Sequence, residues 1–202
     1  MLRLLFFIFT ILSINILTSQ TIQEYDKFLK IENLKFNNNE IRIYKKYATS
    51  TGLELFRLYQ DEKENWKAEF FETVASKNNN DFKIRTRKSK LNSLKNFELI
   101  WAQILDTDVI DLPKIEEFEY KLKKKNKDYQ IEDGEIISSI SRTAVMDGTS
   151  YSVKIKNALQ ENEFEYHNPE SYLKIYPDVD ELLSFQELLD LLRKDFKIFL
   201  KN

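Results

Sequence analysis

Apolar and polar residues alternate with a period of two along much of the chain from Glu40 to Arg87, the spacing at which a β-strand turns successive side chains to opposite faces. Ile41 and Ile43 alternate with Arg42 and Tyr44. Thr51 and Gly52 supply a turn, after which Leu53, Leu55, Phe56 and Leu58 predict a second strand, bulged or buried on both faces. Trp66, Ala68 and Phe70 alternate with Lys67, Glu69 and Phe71, so the polar run Asp61 to Asn65 reads as a hairpin loop. A second turn, Asn78 to Asn80, leads into Phe82, Ile84 and Thr86 alternating with Lys83, Arg85 and Arg87; asparagine amides favour turns because they bond their own backbone. These segments predict an antiparallel meander with one apolar and one polar face.

Helical spacing follows. Leu91, Leu94, Phe97, Trp101 and Ile104 recur every three or four residues, with Ser89 placed to cap the first turn, and this helix is expected to cover the meander. Ahead of the meander, Ile22, Tyr25 and Leu29 predict a short helix, ended by Asn37, Asn38 and Asn39. Between Asp106 and Lys127 the period does not decide: Phe118, Tyr120 and Leu122 alternate as a strand would, while Ile115, Phe118 and Leu122 fit a helix. Lys123, Lys124, Lys125 and Lys127 then predict an exposed turn.

In the second half, Ile136 to Met146 predicts a strand, Asp147-Gly148 a tight hairpin turn, and Tyr151, Val153 and Ile155 a strand alternating with Ser152, Lys154 and Lys156. Phe164 and Tyr166 continue the pattern in a third strand. Asn168-Pro169 predicts a helix start, because proline's missing N–H costs nothing in the first turn, and the short helix should end before Pro177. Asp178 with Glu181 and Ser184 with Glu187 are two capping boxes, alternative starts for the last helix. There Leu182, Phe185, Leu189, Leu192, Phe196 and Phe199 form a stripe that Leu183, Leu188 and Leu191 widen, which implies deep burial against a sheet.

Each half thus reads as strands followed by one amphipathic helix. No residue-level identity supports a duplication, and no Pro-, Gly- or Ser-rich linker divides the halves, so one continuous sheet is expected. The expected fold is α+β: a largely antiparallel sheet with two main amphipathic helices, near 90–105 and 178–200, packed on one face of a single domain over residues 20–202.

Residues 1–19 read as a secretory signal peptide. Arg3 supplies the positive start and Leu4 to Leu17 the apolar stretch, within the roughly 7 to 15 residues typical of such leaders and short of the roughly 20 that a spanning helix needs. Cleavage is expected after Ser19, with Gln20 as the alternative; the competing reading is an uncleaved signal anchor. The expected location is secreted or periplasmic, with no stable membrane span after cleavage.

Composition then narrows the chemistry. With no cysteine there is no thiolate nucleophile, no Cys-ligated zinc, no iron–sulfur cluster and no lipid anchor on cysteine. One histidine, His167, excludes multi-histidine metal sites, and three glycines leave no glycine-rich loop for a phosphate or dinucleotide. The 33 acidic side chains slightly outnumber the 31 basic ones, which argues against nucleic acid as a partner. No cofactor is implied.

Four features of the sequence are candidate sites. Asp106, Asp108 and Asp111 in the loop DTDVID offer oxygen ligands to a hard cation but lack the glycine and distal glutamate of a calcium loop, so a helix end solvated by carboxylates is the expectation. His167 precedes Asn168-Pro169 with no assignable serine or acidic partner and reads as a surface histidine. Lys83, Arg85 and Arg87, extended by Lys88 and Lys90, suggest a strip for an anionic polymer or membrane surface, and equally a solvated sheet face, which is the expectation. Trp66, Trp101 and the abundant Tyr and Phe invite a ligand groove, but their spacing assigns nearly all of them to the core.

No catalytic, cofactor or metal residue is therefore assigned. The expectation is an exported, non-enzymatic binding or interaction domain whose partner is an unidentified protein or small ligand, because the sheet leaves a polar face open. A hydrolase using paired carboxylates is the alternative. Export predicts that intact-mass measurement of the protein outside the cytoplasm finds a chain starting at Gln20; a product retaining Met1 to Ser19 contradicts the cleaved leader.

Overall fold

The computed structural model describes residues 22–78, 81–141, 145 and 148–200. The leader, Asn79 and Asn80 of the second asparagine turn, Met146 and Asp147 fall outside them. A helix α1 over residues 22–29 precedes four strands, β1 (Glu40–Tyr47), β2 (Leu53–Gln60), β3 (Trp66–Asn78) and β4 (Asp81–Lys90). Then come α2 (Phe97–Leu105), the short α3 (Ile115–Phe118) with a 3-10 turn (Glu119–Leu122), and the strands β5 (Lys124–Glu132) and β6 (Glu135–Ser141). The chain continues through β7 (Thr149–Lys156), β8 (Glu161–His167), α4 (Pro169–Ile175) and α5 (Asp180–Phe196). The fold is α+β. One antiparallel sheet of six strands, ordered β4-β3-β2-β1-β7-β8, draws on both halves of the chain, and β5 and β6 form a separate hairpin.

The two main helices pack on one face, as their stripes predict. Ile41, Ile43, Phe56, Leu58, Tyr151, Val153, Phe164 and Tyr166 point from the strands into a core closed by Ile100, Trp101 and Ile104 of α2 and by Leu182, Phe185, Leu188, Leu189 and Leu192 of α5. Rings interlock across the layers: Trp66 with Trp101 at 5.3 Å, Phe56 with Phe196 at 5.2 Å, and Phe185 with Tyr166 at 5.2 Å. The two tryptophans are core, as their spacing implies. Leu191 also packs against this core, but Leu183 is exposed.

Several element boundaries differ from the sequence reading, each for a physical reason. The helix read from Ser89 begins at Phe97, capped by Asn96, whose side chain accepts a hydrogen bond from Glu98 N at 2.9 Å. Ser89 instead continues β4 opposite Phe70, so strand pairing outweighs its capping ability, and Leu94 is fully exposed. Neither capping box starts α5, whose first turn follows Val179 without a side-chain cap. The lysines at 124, 125 and 127 lie in β5 rather than in a turn. Most consequentially, β6 does not form a hairpin with β7; β6 pairs with β5, and β7 inserts between β1 and β8.

The sheet's second face is not open. Residues 22–36 lie across it, burying Ile22, Leu29 and Ile31 against Tyr44, Leu53, Leu55 and Phe71. Beside that apolar patch, cross-strand register lines up a charged row over all six strands: Lys90, Glu69, Arg57, Arg42, Lys154 and Glu163. Arg42 and Arg57 are directly opposed and buried, an arrangement that costs free energy unless anions neutralise it. Glu40, with no exposed surface, accepts from Arg42 Nε at 2.6 Å and from Arg57 Nε at 2.7 Å and Nη2 at 2.9 Å. Asp26 of α1 meets Arg42 at 3.3 Å, Glu69 meets Arg57 at 3.3 Å, and the Leu34 carbonyl accepts from Arg42 at 2.9 Å. The overlying segment thus supplies acceptors to the arginines as well as apolar cover.

Burial would raise the Glu40 carboxyl, but the hydrogen bonds and charges of Arg57 and Arg42 outweigh it and hold the group below its ordinary 4.5. Its contribution to stability is therefore complete above that value and is lost as pH falls through the folded-state pKa. Asp26 has the opposite sign: burial raises its carboxyl despite the Tyr44 hydroxyl bond and Arg42, so its ionisation opposes folding as pH rises through and beyond 3.8. Glu40→Gln should cost about 3–5 kcal/mol at neutral pH and flatten the acid limb of a denaturant-midpoint profile. Leu189→Ala should cost about 2–5 kcal/mol in the same measurement, with little change in pH dependence.

Candidate functional site

A cleft of about 680 Å³ opens at the end of the sheet where β1 finishes and β7 starts, roofed by α4 and α5. Its position follows from the sequence. The apolar row pattern of the helix-covered face holds through Ile41 and Ile43 and breaks at Lys45, which stands on that face opposite Glu54 of β2 and Tyr151 of β7. α4 arrives immediately after β8 because Asn168, at φ 50°, turns the chain in the left-handed region before Pro169. Asn168 also ties that turn to the base of β7, its N–H donating to the Thr149 carbonyl at 2.8 Å and its Nδ2 to the Val145 carbonyl at 3.1 Å. Gly148 permits this closeness: a Cβ there would fall 1.7 Å from Asn168 Oδ1, so that a larger residue would have to displace the Asn168 side chain.

Lys45 lines the cleft yet is only 3% exposed. Its ammonium lies 4.8 Å from the centre of the Tyr47 ring and 6.0 Å from that of Tyr151, contacts that attract a cation without satisfying its N–H donors. Among the described residues no carboxylate stands within ion-pair distance and no acceptor within hydrogen-bond distance of it. The carboxylates nearby are turned elsewhere. Glu54 accepts from the Tyr47 hydroxyl at 2.7 Å. Glu170 of α4 and Asp190 of α5 both face Arg193, at 3.0 and 3.2 Å, and Arg193 is further held by the Phe199 carbonyl at 2.8 Å. Burial pulls the Lys45 ammonium below its ordinary value, and Glu54 and Glu170 only partly restore it. Burial, helped by Glu170, pushes the Tyr151 hydroxyl well above its ordinary range, so that it is a neutral hydrogen-bonding group here.

Chemically, the cleft offers the little-exposed Lys45 with the Tyr47 and Tyr151 rings behind it, the exposed Lys174, and amide and hydroxyl groups from Asn168, Ser171 and Gln186 at its walls. Sequence reasoning missed Lys45, because a lysine in an alternating strand reads as solvent-facing. The signal was present: Lys45 falls in phase with Ile41 and Ile43, the apolar set of its strand.

The residues weighed from the sequence lie elsewhere. Asp106 caps the C-terminal end of α2, Asp108 turns with φ 56°, and Asp111 accepts from Gln160 at 3.1 Å. Among the described residues no group of three His, Asp or Glu side chains is placed to hold a metal ion. His167, at the exposed end of β8, has Nδ1 4.0 Å from Glu165. The basic strip is divided: Arg85 and Arg87 lie on one face of β4, Lys88 and Lys90 on the other, and Arg87 and Lys88 pair with Glu72 and Glu69. The side chain of Lys83 is not among those described. Among the described residues no helix is long and apolar enough to cross a membrane.

No protein-family model, curated protein or solved structure matches this chain.

Lys45→Met keeps the aliphatic stem and removes the desolvated charge, so the variant should unfold at a higher temperature than the wild type at neutral pH. Because the folded-state pKa of Lys45 is lowered, wild-type stability should rise as pH climbs through that value towards 10.5, and this increment should be missing from the variant. Thermal unfolding of both proteins from neutral to alkaline pH checks it.

Proposed function

We propose that this protein is an exported, non-enzymatic binding domain that takes a small ligand in the cleft between β1, β7 and the α4–α5 pair. The observation that carries this reading is Lys45: a buried ammonium without hydrogen bond or ion pair among the described residues, facing a cleft within the roughly 300–1,000 Å³ range of small-molecule sites. An unsatisfied buried charge costs stability, and sites that bind ligands are where such costs are found. Secretion or periplasmic location rests on the leader over residues 1–19.

The alternative, a hydrolase using paired carboxylates, has less support. Such chemistry wants two convergent carboxyl groups, one of them raised. Glu170 and Asp190, the carboxylates of the cleft, share Arg193, while the raised Asp26 belongs to α1 on the opposite face of the sheet, bonded to Tyr44.

Native purification from the exported fraction, followed by mass spectrometry of the denatured extract, tests the binding reading. A small molecule should be released stoichiometrically from the wild type and lost from Ser171→Trp, which fills the cleft wall. A wild-type extract without such a molecule, or equal release from both proteins, counts against it.

A further inference from the structure

The chemical class of the ligand follows from what the cleft does and does not hold. We infer that the site selects a small organic monocarboxylate, its carboxylate seated on Lys45 Nζ and its apolar body lying along α4 towards Leu173 and Leu200; this rests on the cleft being a binding site.

Three observations lead there. Lys45 is the little-exposed cation of the cleft and no described carboxylate meets its charge at ion-pair distance, whereas Arg193 is occupied by Glu170 and Asp190 and Lys174 is exposed to solvent. A single negative charge balances it. The start of α4 is a poor phosphate cradle, because residue 169 is proline and the N–H groups of Ser171 and Tyr172 are spent on the Asn168 carbonyl at 3.0 Å each. A neutral ligand can accept a hydrogen bond from the ammonium but leaves its charge unbalanced, so it gains less from Lys45 than a carboxylate does. The carboxylate forms a charge-assisted hydrogen bond with the ammonium, and the Tyr47 and Tyr151 rings wall its far side. Leu173 and Leu200 line the same cleft, giving the rest of the molecule an apolar contact.

The test is amide-resolved NMR of the full mature protein titrated with phenylacetate and butyrate, with phenylacetamide and butyramide as neutral counterparts of the same shape, and with inorganic phosphate. The carboxylates should move the resonances of residues around Lys45, Thr149 and Ser171, bind at least tenfold tighter than their amides, and outcompete phosphate. In Lys45→Met, whose spectrum reports its own folding, that tenfold preference should vanish. Equal binding of acid and amide at the cleft, tighter phosphate binding, or a preference that survives in folded Lys45→Met overturns the carboxylate assignment while leaving the cleft as a binding site. Shifts confined to other parts of the molecule overturn both. The acid-to-amide comparison on the wild type decides the matter even if the variant fails to fold.

Discussion

Two arginines facing each other across a strand pair, Arg42 on β1 and Arg57 on β2, set the terms for the rest of this molecule. Opposed like charges on neighbouring strands repel, and burying them adds a desolvation cost of several kcal/mol per ion in general. Neither can be tolerated unless oxygen atoms surround both guanidinium groups. Glu40 bridges the pair, Asp26 and Glu69 flank it, and the carbonyls of Leu34 and Lys35 complete it. The segment 22–36 is therefore held in place by the sheet's charges as much as by its own apolar residues. Arg57 stacks on Tyr59 at 3.7 Å and Arg42 on Phe36 at 5.0 Å, so the planar groups are packed as well as paired.

The same two-residue period that places this ionic centre on one face places Lys45 on the other. Around Arg42 every charge is answered from a neighbouring strand or from the overlying segment. Around Lys45 the cross-strand partner Glu54 bonds to Tyr47, and the helix carboxylates bond to Arg193. The two faces of one strand thus carry a saturated cluster and a single charge without an ion partner among the described residues, the charge on which the proposed binding rests. Lys45 can sit there because the rest of the face is well packed. The Phe185 ring is in edge contact with Tyr151 and Tyr166, and Phe199 closes on Tyr151 beside Arg193, making the cleft's floor stiff.

Much of the fold was legible because the period of the apolar residues changes cleanly from two to 3.6. The strands around Ile41, Phe56, Ala68 and Val153 and the final helix through Leu182 to Phe196 are read directly from spacing. What spacing cannot supply is partnership. β7 pairs with β1 across more than a hundred residues of chain, and no local pattern distinguishes that from a hairpin closed by Asp147-Gly148. The charged residues Glu40, Arg42, Arg57 and Glu69 looked like a wet surface for the same reason: alternation gives the face a residue points to, not whether another segment covers it. Ser89 and the capping boxes near Asp178 and Ser184 show local preferences overridden by strand pairing and helix packing. Lys45 escaped notice because its type, rather than its phase, was weighed.

The order in which the pieces emerge during synthesis now has a meaning. Asp26, Glu40, Arg42, Arg57 and Glu69 all lie between residues 26 and 69, close enough to one another in sequence for their cluster to assemble while translation continues. The opposite side of β1 and β2, with Ile41, Ile43, Phe56 and Leu58, is covered only by α2 until α5 has been made. A nascent chain is thus sealed on its ionic side and sticky on its oily side until α5 docks, and it is this half-finished surface that chaperones would meet.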